Sequence, residues 1–159
     1  MKLFDHPVHP LLIHFPTALL PMDLAMNVLY NITGNTSFYE AGFYSLIGGV
    51  AIGLLAVLTG VLELFTIPKT DKKAIALALY LGFLNGFIIV IFAIITYKAW
   101  QIFPSPYLTD KKGIIIKAIL VIFLFVGNYM GGRLIYKHHI GIGETRIANI
   151  KNIKQKSHV

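Results

Sequence analysis

Four apolar segments, near residues 11–30, 43–65, 74–100 and 113–136, are each long enough to cross a bilayer as a helix, which takes roughly 20 residues. Hydrocarbon offers no hydrogen bonds, so a segment lying in it must satisfy its own backbone, and a helix does so. The connections are short, so successive helices must reverse direction. The chain is therefore expected to be all-α: a polytopic membrane protein with an antiparallel four-transmembrane-helix bundle over residues 1–143 and a basic tail over 144–159. Only 13% of residues are charged and the mean hydropathy is +0.71, whereas soluble domains carry about 25% charged residues.

Cysteine is absent, which excludes disulfides, thiolate metal sites, iron–sulfur ligation and covalent haem attachment. The first apolar segment does not read as a signal peptide, because it lacks a basic leading region and is interrupted by Pro16, Pro21 and Asp23. The net charge of +7 is spread over separate loops and a tail without a binding motif, so no nucleic-acid partner is expected. Its distribution bears on topology instead. Ten of the fourteen basic residues fall on the side of the two termini and the 66–73 loop, and Lys98, Lys111, Lys112 and Lys117 fall on the other. Excess Lys and Arg marks the cytoplasmic side. The expectation is a multi-pass protein of the cell inner (cytoplasmic) membrane with both termini cytoplasmic.

Three of the six histidines and three of the seven prolines lie within residues 6–16. Proline disfavours helical geometry in the residue before it, so His6 and His9 are expected to be extended, with helix one starting near Pro10 or Leu11. Pro21 should kink that helix. A second cluster, His138 and His139, follows the last apolar segment and would share an end of the bundle with the first. Inside the spans, Asp23, Asn85 and Asn128 are expected at one common depth, with Glu63 and Arg133 paired nearer the cytoplasmic surface. Gly49 and Gly53, Gly82 and Gly86, and Gly127 and Gly131 each form a small-xxx-small pair of the kind that lets helices approach. With three such faces, a homo-dimer in the bilayer is an open expectation.

Neutral imidazole ligates transition metals and haem iron. His14, one turn into helix one, is expected to project into the bundle and pair with His138. His6, His9 and His139 are further candidate metal ligands. Arg133 would offer charge to a haem propionate, and Tyr136 or Asp23 would orient the imidazoles. On this reading the protein binds haem b or a transition-metal ion and exchanges electrons with a quinone or a soluble redox partner. The plainer reading of such histidines is an amphipathic residue at headgroup level. Two rival functions stay open. Asp23, Glu63 and the histidines would relay protons or bind a cation in a transport protein, or the glycine faces would pack a structural subunit into a larger complex.

The stretches HPVHPLLIHFPTALL and GNYMGGRLIYKHHIGIG resemble the two signatures of the DUF2231 family of small bacterial and archaeal membrane proteins. The resemblance implies the same four-helix topology. Relatives are joined to Rieske-type or cytochrome c modules, which implies membrane redox work and a fold similar to small haem-binding four-helix cytochromes. Two departures stand out. The family's histidine on helix three is missing, with Tyr80 and Leu81 in its neighbourhood, and the family's Tyr-Arg-His-Gly is Tyr136-Lys137-His138-His139 here.

The charge asymmetry sets a topology test. A cysteine placed at Ser37 should be labelled from outside intact cells and one at Ser157 should be protected. The opposite pattern would invert the orientation.

Overall fold

A computed structural model describes residues 2–3, 6–64 and 72–138, with side chains described over 11–62, 75–76 and 78–131. The tail over 144–159 and His139 lie outside the described residues. A two-residue antiparallel bridge, β1 (Lys2–Leu3) on β2 (His6–Pro7), precedes four helices: α1 (Val8–Thr33), α2 (Thr36–Leu64), α3 (Lys72–Ile102) and α4 (Lys111–His138). All four helices are long and apolar enough to cross a membrane. They form a ring in which α1 packs on α2, α2 on α3, α3 on α4 and α4 back on α1.

The helices are longer than their apolar cores, and the differences lie at their ends. The α1 helix starts at Val8, so His6 is extended as expected but His9 is helical. Pro10 then falls in the first turn, where a missing N–H costs nothing. The helix continues through Pro16 and Pro21. The polar stretch 31–40, between the first two apolar segments, is helical except for a two-residue turn at 34–35. Gly34 adopts φ 69° and its N–H returns to the Tyr30 carbonyl at 2.8 Å, an αL cap that ends α1. Asn35 caps α2 by accepting the Ser37 N–H at 3.0 Å. Asp110 does the same for α4, accepting the Gly113 N–H at 3.0 Å. Gly113 is required there, because the Leu108 backbone occupies the space a Cβ would need.

Helix α1 lies closest to α2, and glycine makes the approach possible. A Cβ at Gly49 would sit 2.8 Å from Leu20 Cδ2, and one at Gly42 would sit 3.1 Å from Asn27 Nδ2. Gly53, one turn beyond Gly49, faces α3 instead, 2.7 Å from Ile89 Cδ1. The other two small-xxx-small pairs do not act as pairs. Gly127 is pressed against the Asn85 amide, but Gly82 and Gly131 meet nothing within 4 Å among the described residues. The core between the helices is built from Leu20, Leu46, Ile88, Phe92, Val121 and Leu124.

Outside this core, large apolar side chains such as Leu58, Phe83, Phe87, Ile122 and Tyr129 are exposed around all four helices. Water would penalise so much contiguous apolar surface, whereas lipid is its natural solvent. At the end carrying the 34–35 turn and the 103–110 connection, aromatic rings close the bundle. Phe43 stacks on Phe103 with centroids 4.3 Å apart, and Tyr39 and Trp100 flank them. The Tyr39 hydroxyl donates to the Ser105 carbonyl at 3.0 Å, tying α2 to that connection.

Candidate functional site

The buried side of α1 is a single stripe. Pro16, Leu20, Asp23 and Asn27 are all buried, and their spacing of four, three and four residues keeps them on one helix face. The stripe is unusual in turning polar. Asp23, Asn27 and Asn31 follow one another at intervals of four, running from mid-bundle to the end with the 34–35 turn. Asn31, the outermost, donates to the Thr109 carbonyl at 3.0 Å.

Facing Asp23 is Lys117 of α4, and the two form a buried ion pair. Lys117 Nζ lies 3.0 Å from Asp23 Oδ2 and 3.1 Å from Oδ1. The two side chains are only 2% and 1% exposed. Asn27, fully buried, donates through Nδ2 to Asp23 Oδ1 and to the Asp23 carbonyl, each at 2.6 Å. Its own Oδ1 accepts nothing from the described residues. A carboxylate holding an ammonium and an amide is a charge-assisted arrangement. Its electrostatics are strong because both side chains are buried away from solvent.

A second polar level lies nearer the other end. Asn128 of α4 donates to Thr17 Oγ1 at 2.6 Å, and Thr17 donates to the Ile13 carbonyl. Asn85 of α3 packs on Gly127, one residue away, with its Oδ1 buried and unpartnered among the described residues. Asn85 and Asn128 thus share a level, but Asp23 does not. It lies six residues from Thr17 along α1, about 9 Å at 1.5 Å per residue. The expected common depth is not met, because Asp23 shares its level with Lys117 rather than with Asn85 and Asn128. Lys117, which in the sequence reads as one of the surface charges of the outer side, is instead the partner of Asp23. It lies six residues into α4, inside the apolar run, and its long stem spans the remaining height to Asp23. A lone acid and a lone base inside separate spans were the available signal.

Of the histidines, His14 is placed differently from expectation. His14 is exposed and does not project into the bundle. At about 100° per residue it points roughly 150° away from the Leu20–Asp23–Asn27 stripe. His6 and His9 lie in β2 and the first turn of α1, and the His138 backbone ends α4. The side chains of His6, His9, Glu63, Arg133, Tyr136 and His138 lie outside the described residues. The Thr17–Asn128 bond nevertheless fixes the register of the two backbones. His14 is three residues beyond Thr17 and His138 is ten beyond Asn128, a difference in height of about 10 Å. In height, His138 is matched by the chain near Pro7, between His6 and His9. Among the described residues no group of three His, Asp or Glu side chains could hold a metal.

The family described as a predicted membrane protein, DUF2231, matches residues 5–144. No curated protein and no solved structure matches the chain.

The ion pair sets a stability test. Lys117→Met should destabilise the protein by about 3–5 kcal/mol, because it strands the buried carboxylate. The double variant Asp23→Leu with Lys117→Met should recover most of that loss, since no buried charge is left. Thermal denaturation in one detergent decides the matter. Additive losses would mean that the pair is not coupled.

Proposed function

The chain belongs to the DUF2231 family of predicted membrane proteins, and from that premise we propose that it carries protons or a small cation through the bilayer at Asp23, with Lys117 as resident counter-charge. One observation carries the reading: a carboxylate and an ammonium, both almost wholly buried, inside segments apolar enough to span a membrane. Ionisable groups in such segments are costly and mark ion or proton pathways. A purely structural contact at this depth is met as well by apolar packing, since buried ion pairs add little net stability. The polar stripe through Asn27 to Asn31 supports access from the end closed by Tyr39 and Phe103. Charge asymmetry supports both termini on the cytoplasmic side of the inner membrane. Once Lys117 is taken as buried, only Lys98, Lys111 and Lys112 remain on the opposite side.

Proteoliposomes with an imposed pH gradient and an entrapped pH dye test this function. The wild-type protein should dissipate the gradient. Asp23→Asn, or Asp23→Asn with Lys117→Met should the single variant fold poorly, should slow dissipation at least roughly tenfold, equivalent to a barrier raised by about 1.4 kcal/mol. His14→Ala should leave the rate unchanged. Equal rates for wild type and Asp23 variants would overturn the reading.

A second reading is favoured by the shared end of α1 and α4, which brings two histidine-bearing segments to one surface. In it haem b or a transition-metal ion is bound between His138 and His6 or His9, with His14 and His139 nearby and Arg133 as the charge partner. Electrons would pass to a quinone or a soluble redox partner. The donor set is chemically suitable, as neutral imidazole ligates both haem iron and transition metals. Protein purified in mild detergent should then show a Soret band with reducible α and β bands, or stoichiometric metal. His138→Ala should remove either. A colourless, metal-free preparation would eliminate this reading.

A further inference from the structure

We propose that Asp23 and Asn27 form a binding site for a monovalent alkali cation, in which the Lys117 ammonium is a tethered occupant that the free cation displaces. The inference rests on the reading of Asp23 as a proton or cation carrier and specifies what exchanges there. Three oxygens make up the donor set. Asp23 Oδ1 and Oδ2 hold the ammonium at 3.1 and 3.0 Å. Asn27 Oδ1 belongs to the amide that donates to Asp23, so it lies beside the pair. It is fully buried and accepts no hydrogen bond from the described residues. A buried acceptor without a donor costs about 1–3 kcal/mol, and a bound cation is what such an oxygen can satisfy. Oxygen donors of this kind suit hard cations.

Charge decides between monovalent and divalent ions. The site holds one carboxylate, and among the described residues Lys117 is its only charged partner. Toward the aromatic end the next ionisable side chains are Tyr30 of α1 and Tyr39 of α2, whose rings pack with centroids 5.9 Å apart. In a low-dielectric interior a single negative charge is neutralised by one monovalent ion, whereas a divalent ion would leave an uncompensated charge. The displaced ammonium faces the same constraint. Without its carboxylate it cannot stay buried and charged, so it gives up a proton and remains as the neutral amine. The exchange balances: a free cation and the Asp–ammonium pair become a cation-bound carboxylate, a neutral lysine and one released proton. No electron moves and no covalent bond to carbon changes. Asn31, on the same stripe and bonded to the 103–110 connection, marks the end from which the ion arrives.

The experiment is a titration of the full-length protein in mild detergent with NaCl, KCl and choline chloride in weakly buffered solution, with calorimetry and a pH dye read together. Sodium or potassium, but not choline, should bind and release about one proton per cation. Lys117→Met should still bind the cation, now displacing the proton that neutralises the stranded Asp23 carboxylate, whereas Lys117→Arg, whose guanidinium does not give up its proton, should neither bind it nor release a proton. Asp23→Asn, with its helical content checked by circular dichroism, should bind neither ion. Binding without proton release in the wild type would overturn the exchange, as would a Lys117→Arg variant that binds the cation and releases a proton. Asp23-dependent proton flux in liposomes without cation binding would also overturn it, leaving a proton relay. Cation binding with proton release but no flux would sustain the site and remove the transport function instead.

Discussion

Holding an aspartate and a lysine together inside hydrocarbon is the constraint around which the described structure is built. Each ion alone would cost several kcal/mol to take out of water. The cost is tolerable only if both are present and their remaining hydrogen-bonding capacity is filled. Asn27 fills part of it, and Asn27 in turn needs room. That room comes from Gly42 of α2, where a Cβ would approach the Asn27 amide to 3.1 Å. Thus one ion pair couples α1 to α4 directly and α1 to α2 through a single missing side chain. The tight α1–α2 seam, with Gly49 against Leu20 one turn from Asp23, is the packing consequence.

The remaining polar contacts divide the bundle into levels with apolar layers between them. Thr17 and Asn128 bond at one level, with Asn85 beside them on Gly127; Asp23, Asn27 and Lys117 form the next; Asn31 and Tyr39 reach the 103–110 connection at the end. Polar groups in a bilayer are satisfied by neighbours or not at all. Their pairings therefore determine helix register more sharply than the apolar contacts do. Leucine or isoleucine against lipid or against another helix meets much the same environment. The Thr17–Asn128 bond is what allows the heights of the histidines to be compared.

Much of this architecture was legible in the sequence, for the reason that makes membrane proteins simple in outline: twenty apolar residues in a row admit few alternatives. The ends were less legible. Residues 31–40 look like a loop because they are polar, yet a helix reaching the interface should become polar there. Gly34 and Asn35 alone make the turn. Partnerships were least legible. Asp23 was visible as an anomaly, but its partner sits 94 residues away, and Lys117 resembled an interfacial lysine because it follows Lys111 and Lys112 so closely. His14 was misjudged for the opposite reason. Its position one turn into the helix was right, but the phase of the buried stripe is set by Leu20, Asp23 and Asn27, and His14 lies on the far side of it.

That phase also separates the two proposed sites. The histidine-bearing segments gather where α1 begins and α4 ends. The ion pair lies beyond the Thr17–Asn128 level, toward the aromatic end. Along α1, His9 and Asp23 are fourteen residues apart, about 21 Å, too far for an imidazole to orient or be oriented by that carboxylate. A function placed at the histidines and a function placed at Asp23 are therefore physically independent. Each must find its electrostatic support among residues at its own level. For Asp23 that support is present: a lysine, an asparagine and a glycine that makes space for them.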